Sequence, residues 1–204
     1  MNQSHAAVNR TGQQHVPLLA GGLDVLLVPA GKSRVGQAVW LRELDHGTEE
    51  VAHAILTDIM AEDAAGTIKA YVKYRGKNPR RWLALVFPPI FKPRFLGLFL
   101  EDGTLAGWIS LVMVATMMDS AGLGLIVHAP HRNKGLGTAV VQYCIDHVLD
   151  IMHDPRITNL YYHTTEQNAP MLAISAKVRM QSLGKHEDNL RPGYVMVRFT
   201  SKQT

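Results

Sequence analysis

Between His128 and Val141 the chain reads HAPHRNKGLGTAVV, and this stretch gathers the residues best suited to hold an anion. Gly135 and Gly137 carry no Cβ, so a ligand can come close to the main chain there. Arg132 and Lys134 add positive charge beside them. The preceding run Ser120–Val127, SAGLGLIV, is a glycine-broken apolar stretch that reads as a buried strand. Downstream, Val140, Val141, Cys144, Ile145, Val148 and Leu149 recur at helical spacing, with Gln142, Asp146 and Asp150 between them, which predicts an amphipathic helix. The glycines therefore fall in a turn that leads from a strand into a helix. The first amides of a helix lack intrahelical partners and carry partial positive charge. Such a turn is a pyrophosphate cradle made mostly of main chain.

The type of cradle can be narrowed. No Lys-Ser or Lys-Thr pair follows the second glycine, so it is not a P-loop. Arg132 stands where a dinucleotide fingerprint needs its first glycine, and no acidic ribose binder follows convincingly. The run Arg132–Gly137, R-x-x-G-x-G between a strand and a helix, resembles the coenzyme A loop of the GCN5-related N-acetyltransferase (GNAT) superfamily, and Val127 and Pro130 fit the usual approach to it. Members of that family also carry an asparagine that opens a second helix, in the run N-x-x-A-x-x-L-Y-x-K-x-G-F. Asn168 holds the asparagine place here, Ile174 the apolar place and Lys177 the lysine. The resemblance spans Phe95–Met180 and is weak before Phe95.

What the resemblance implies is a donor site and a reaction. The backbone of Ile126, Val127 and His128 would pair with the pantetheine arm like an added strand, with the Val127 amide polarising the thioester carbonyl. Arg132, Asn133, Lys134, Gly135, Leu136, Gly137 and Thr138 would surround the pyrophosphate, and Asn168 would contact the pantetheine region. The tyrosine that often protonates the leaving thiolate aligns with Ser175, and a serine hydroxyl is a far poorer acid than a phenol of pKa about 10. The terminal Gly-Phe aligns with Arg179-Met180, so the turn into the last strands is rebuilt.

Acetyl transfer to an amine needs a neutral nucleophile and a donor for the developing oxyanion, and proximity supplies much of the rest. Relatives often place a carboxylate early in the strand before the loop, whereas this chain has Ser120, Ala121, Gly122 and Gly124, with Asp119 just outside. The remaining candidates for a base are Glu101, His128, His163 and Glu166, and a base-free route through a water chain stays open. His131 and His153 read as surface residues. No His-x-Glu or spaced carboxylate set suggests a metal site.

Composition agrees with one folded unit. The chain has 204 residues, 47% hydrophobic and 19% charged, enough for a single domain with a substantial core. Its one cysteine, Cys144, excludes an internal disulfide framework and falls on the helix's apolar face as a packed small hydrophobe. No signal segment opens the chain, Leu105–Met118 is too short to span a bilayer, and Trp82–Leu100 is broken by Pro88, Pro89, Lys92, Pro93 and Arg94. A cytoplasmic protein is expected. A net charge of +4 suits an anionic cofactor or a nucleic acid without selecting either.

The elements that must position the loop are legible in order. Residues 1–15 read as a flexible leader and 16–204 as one domain. Leu23–Val28 reads as a strand, Gly31–Gly36 as a turn and Gly47–Met60 as a helix capped by Thr48, with Val51, Ile55 and Ile59 on its buried stripe. Thr67–Tyr74 fits a strand or a short helix, and Arg75–Arg81 is a basic turn. Phe95–Glu101 and Thr104–Val114 flank Asp102-Gly103, a strong hairpin signal. Ile157–Thr164 reads as a strand, Asn168-Ala169-Pro170 opens a helix, Gly184–Gly193 is a long polar approach, and Tyr194–Phe199 closes as a strand. The expected fold is an α+β (mixed α/β) domain with a largely antiparallel twisted sheet, splayed at the cofactor site, and helices on both faces.

Together these readings predict an acetyl-CoA-dependent N-acyltransferase acting on a primary amine. The amine class stays open among small molecules, protein amines and amino-modified nucleobases. Two other classes remain: a catalytically silent CoA-binding module, favoured by Ser175, and a nucleic-acid binder that uses no CoA. A homodimer is compatible with everything above, and no membrane contact is expected.

Overall fold

Eight strands lie in one sheet in the order β1-β2-β3-β4-β5-β6-β8-β7. They are β1 (Asp24–Val28), β2 (Gln37–Glu43), β3 (Arg94–Leu100), β4 (Leu105–Val114), β5 (Met117–Val127), β6 (Asn159–Thr165), β7 (Gln181–Glu187) and β8 (Val195–Thr200). Two helices follow strands of this sheet, α1 (Leu136–Met152) and α2 (Ala169–Lys177). The computed structural model describes residues 24–28, 37–44, 54, 55, 57, 58, 61, 62, 94–114, 116–187 and 195–201. The leader, the ambiguous segment Thr67–Tyr74, the basic turn Arg75–Arg81 and the cap at Thr48 lie outside them.

All pairings are antiparallel except β5 with β6. The β3–β4 hairpin turns at Asp102-Gly103 as its sequence predicts; Gly103 takes φ 83, and the Asp102 carboxylate accepts a bond from the Thr104 amide at 2.9 Å. That bond holds the Asp102 carboxyl below the usual carboxylate range. β4 then runs beside β5 in register from Gly107↔Val127 to Met113↔Ala121, so the loop-bearing end of β5 rests on the centre of the sheet.

Leu98, Ile109, Leu111, Val140, Val141, Cys144 and Leu160 are fully buried and form one cluster between the sheet and α1. Burying each such aliphatic side chain contributes roughly 1.5–3 kcal/mol. Cys144 belongs to this cluster, and burial pushes its thiol up to about 12. The apolar stripe expected on α1 is right except at its end. Leu149 is 42% exposed, and Ile151 and Met152 are buried instead. A break in the helix at His147 (φ −128, ψ 15) turns the last residues, which moves the buried face.

Three other differences have local causes. β2 has no counterpart among the expected strands, although Val39 and Leu41 are buried on either side of the less buried Trp40, the alternation of a half-buried strand. Every residue of β7 is exposed, so it carries no hydrophobic pattern that could announce it. The helix expected at Gly47–Met60 is helical at residues 54, 55, 57 and 58 and continues to 61 and 62, and Ile55 is buried as its stripe predicts.

Candidate functional site

β5 and β6 pair only at Ser120↔Asn159, Ala121↔Leu160 and Gly122↔Tyr161. Beyond Gly122 the two parallel strands separate. The segment Leu123–Val127 has a β4 partner on one side and, among the described residues, no strand on the other. The sheet therefore holds a V-shaped gap, closed at Gly122–Tyr161 and open toward the ends of β5 and β6.

The main-chain groups that face this gap follow from strand alternation. The His128 amide donates to Ala106 O at 2.9 Å, and Ile126 O lies against Gly107, so these groups point to β4. Asp119 O accepts from the Thr158 amide at 2.9 Å, so Asp119 points to β6. Leu123, Leu125 and Val127 share that direction and present their N–H groups to the gap. Of Ile126, Val127 and His128, only Val127 faces it. The main chains of Ile126 and His128 are turned to β4, and the ladder takes the places expected for the donor's arm.

At the open end the chain passes through a short 3-10 turn, Ala129–His131, and enters α1. Gly135 takes φ 83 and ψ −8, a left-handed conformation that costs a residue with a Cβ about 1–2 kcal/mol. It occupies the cap position of α1 and no side chain caps the helix. The first intrahelical bond runs from the Ala139 amide to Gly135 O at 3.1 Å. The amides of Leu136, Gly137 and Thr138 precede that bond and, among the described residues, are the unpaired donors of the helix start. Gly137 also serves packing, since a Cβ there would lie 3.0 Å from Ile174 Cδ1 on α2. Asn133 (φ 60), Lys134 and Gly135 are exposed around this start, and Leu136 is buried beneath it.

Arg132 is placed differently from its expected role. Its Nε donates to Val127 O at 2.9 Å, and its two terminal nitrogens donate to the Glu62 carboxylate at 3.0 and 2.7 Å. The guanidinium thus ties the end of β5 to the helical segment around Glu62 and is spent on that task. One turn earlier on that segment, Asp58 lies 3.5 Å from His128 Nε2. Burial, followed by the charges of Lys134 and His128, lowers the pKa of the neighbouring His131.

Asn168 caps α2: its Oδ1 accepts from the Met171 amide at 3.4 Å and its Nδ2 donates to Thr164 Oγ1 at 2.9 Å. Ser175 is buried and donates to Met171 O at 2.8 Å, and its hydroxyl also bonds that of Tyr162. Sequence reasoning missed this tyrosine, which reaches the same spot from β6. Burial raises the Tyr162 phenol pKa, opposed by the bond to Ser175.

The other candidate bases are scattered. Glu101 is exposed in the β3–β4 turn, beside a shallow hollow lined by Trp40, Arg42 and Phe99. Asp119 bonds Ser120 Oγ at 3.0 Å and Asn159 Nδ2 at 3.2 Å, below the closed end of the gap. It lies eight residues along β5 from Val127, roughly 26 Å at strand rise, so Asp119 and His128 cannot act on one atom. Glu166 is exposed and pairs with Lys185 at 2.9 Å. His163 alone lies on a strand that borders the gap beyond its branch point. Among the described residues no group of three or more His, Cys, Asp or Glu could hold a metal, and no helix is long and apolar enough to cross a membrane.

Several solved structures share this fold. One is a spermidine N-acetyltransferase from Vibrio cholerae in complex with CoA and spermine, 14% identical, covering 79% of this chain and 94% of its own, with a TM-score of 0.63. Another is the ribosomal L7/L12 alpha-N-protein acetyltransferase RimL in complex with coenzyme A, 12% identical, covering 85% of this chain and 96% of its own, with a TM-score of 0.61. No curated protein sequence matches the chain. The sequence model of the acetyltransferase (GNAT) family matches residues 69–177, more than half of the 204 residues, and takes in the gap, the glycine turn and α2. The chain belongs to the acetyltransferase (GNAT) family of acyltransferases.

Proposed function

We propose that the chain is an N-acetyltransferase that passes an acetyl group from acetyl-CoA to a primary amine by direct attack, with donor and acceptor bound together. The observation that carries this reading is the gap: from Leu123 to Val127, β5 offers an edge with no strand partner among the described residues, and it leads straight to the first amides of α1. An extended amide-bearing arm and a diphosphate, joined at that spacing, match these two features in order. When bound, acetyl-CoA supplies an acetyl group activated as a thioester, so that a new C–N bond replaces C–S and the proton lost by nitrogen ends on sulfur.

The chain's own contributions are specific. The Leu136, Gly137 and Thr138 amides, with Lys134 beside them, hold the diphosphate. Leu123, Leu125 and Val127 extend the β5 ladder to the donor's arm, and an amide of this edge faces the thioester oxygen. Arg132 acts at one remove by fixing Val127 O and the loop. Asn168 sets the start of α2 beside the gap. Proton removal from the amine falls to His163 or to water reached through it, the imidazole being the side chain that most often serves as a general base. Ser175 has its proton committed to Met171 O, so the sulfur is protonated by solvent.

Calorimetric titration with coenzyme A tests the donor half. The wild-type chain should bind, and Gly135→Val, which strains a left-handed residue at the cradle, should bind at least ten-fold more weakly. Equal affinity in both, or no binding to the wild type, would reject the reading. Thiol release in the presence of amines separates an active enzyme from a silent CoA-binding module.

A further inference from the structure

The gap has a second mouth, on the sheet face away from α1 and α2. Tyr162 and Phe199 face α2, with ring centroids 5.3 Å apart. Strand alternation therefore turns Tyr161, His163 and Arg198 to the opposite face. His163 and Arg198 are direct cross-strand partners, and the Tyr161 and His163 rings meet edge to face at 6.4 Å. Gly122, the partner of Tyr161, points the same way, as does Gly124. Neither has a side chain, so β5 is bare where the strands part. Ser110 leans across this bare strip: a Cβ on Gly124 would lie 2.4 Å from Ser110 Oγ.

Arg198 stands out chemically. Three arginines have a buried Nε with no hydrogen-bond partner among the described residues: Arg42, Arg94 and Arg198. Arg94 forms an ion pair with Glu43 at 2.8 Å, and Arg42 lies 4.1 Å above the Phe99 ring. Arg198 has neither kind of partner among the described residues. Its charge is felt by Tyr161, whose phenol pKa is raised mainly by burial and lowered in part by this arginine. Of the carboxylates on and beside β5 and β6, Asp119 is held by Asn159 and Ser120, and Glu166 by Lys185. A guanidinium that is partly desolvated and unmatched is a fork-shaped receptor for a carboxylate or phosphonate.

We infer that this mouth, lined by Tyr161, His163 and Arg198 around the bare strip at Gly122 and Gly124, is the acceptor site, and that it selects a small primary amine carrying an anionic group. Arg198 holds the anion and the bare glycine strip lets the amine pass to the closed end of the gap. A polycation is disfavoured at the same place. The inference rests on the donor site proposed above and adds the acceptor's chemical class.

The test uses the full chain loaded with coenzyme A and four amines: γ-aminobutyrate, aminopropylphosphonate, aminobutanol and spermidine. Calorimetry should show that at least one of the two anionic amines binds about 10- to 100-fold more tightly than aminobutanol, the discrimination expected of a charged hydrogen bond; which of them binds tells carboxylate from phosphonate. Arg198→Gln should abolish that preference, Arg198→Lys should restore part of it, and neither should alter affinity for coenzyme A. Equal binding of aminobutanol, tighter binding of spermidine, absence of binding by both anionic amines, or an unaltered preference in Arg198→Gln overturns the inference. Failure of coenzyme A itself to bind would overturn the donor site instead, which is a separate reading of the same titrations.

Discussion

Arg132 and Glu62 lie 70 residues apart in sequence and meet in a two-point ion pair, at 3.0 and 2.7 Å, while the same guanidinium holds Val127 O at 2.9 Å. One side chain therefore joins three parts: the helical segment around Glu62, the end of β5 and the loop before α1. The pair is partly exposed, with 27% and 30% of the two side chains accessible, so its direct worth is about 1 kcal/mol. Its larger effect is geometric, because it fixes the strand end from which the loop departs.

Glu62→Gln should leave Arg132 with Val127 O but without its counter-ion. The expected result is a loss of about five-fold in affinity for coenzyme A, the equivalent of that 1 kcal/mol, with kcat nearly unchanged. Calorimetry and steady-state kinetics check it together. A loss of kcat with unaltered affinity would place Glu62 in the chemistry instead.

His163 and His128 make opposite forecasts. His163 borders the gap, whereas His128 sits past its open end and faces Asp58. His163→Gln should lower kcat by about 100-fold or more, the scale of a lost general base, and flatten the acid limb of the pH–rate profile. His128→Gln should change kcat by less than about three-fold, since it loses only a contact with the exposed Asp58 carboxylate. The two profiles, measured side by side, separate a proton acceptor from a bystander.

Ser175→Ala removes a hydroxyl bonded to Met171 O and to Tyr162. It should cost about 1–3 kcal/mol of stability, because the Tyr162 hydroxyl is left with a poorer partner in the core. The pH–rate profile should keep its shape. Thermal unfolding reads the first effect and kinetics the second; a lost alkaline limb would mean that Ser175 takes part in proton transfer.

Cys144 predicts how the fold meets alkali. Its thiol is pushed up to about 12 from an ordinary 9.0 by complete burial. The unfolded chain therefore gives up this proton before the folded one does. Stability is intact below the ordinary value and falls as pH rises from about 9 toward 12, by about 1.4 kcal/mol for each unit between the two values. Cys144→Ala should flatten that fall in denaturant titrations. Iodoacetamide at pH 8 should label the unfolded chain and spare the folded one.

Much of the site was readable because main-chain geometry dominates it. Gly135 and Gly137 marked a strand-to-helix turn open to a ligand, Asn168-Ala169-Pro170 a helix start, and Asp102-Gly103 a hairpin; each of these residue types favours a particular kind of local structure. The separation of β5 from β6 was implied only by family resemblance, since nothing in Leu123–Val127 itself says that one edge lacks a partner. Arg132 read as a phosphate ligand because charge near a glycine turn suggests one, while its true partner, Glu62, is too distant in sequence for spacing to reveal. β7 was silent because exposure on both faces removes the alternation that marks a strand. Tyr162 and Arg198 escaped for a related reason. Their functions depend on which face of β6 and β8 they occupy, and that is fixed by pairing rather than by local pattern.

The central claim is that the free edge of β5 receives the donor's arm, and amide hydrogen exchange at Leu123, Leu125 and Val127 tests it most directly. In the free protein these amides should exchange rapidly, while that of His128, bonded to Ala106 O, is protected. Saturating coenzyme A should slow all three by at least ten-fold and slow Gly137 and Thr138 with them. Slow exchange before ligand is added, or exchange at these amides that coenzyme A leaves unchanged, would contradict the account.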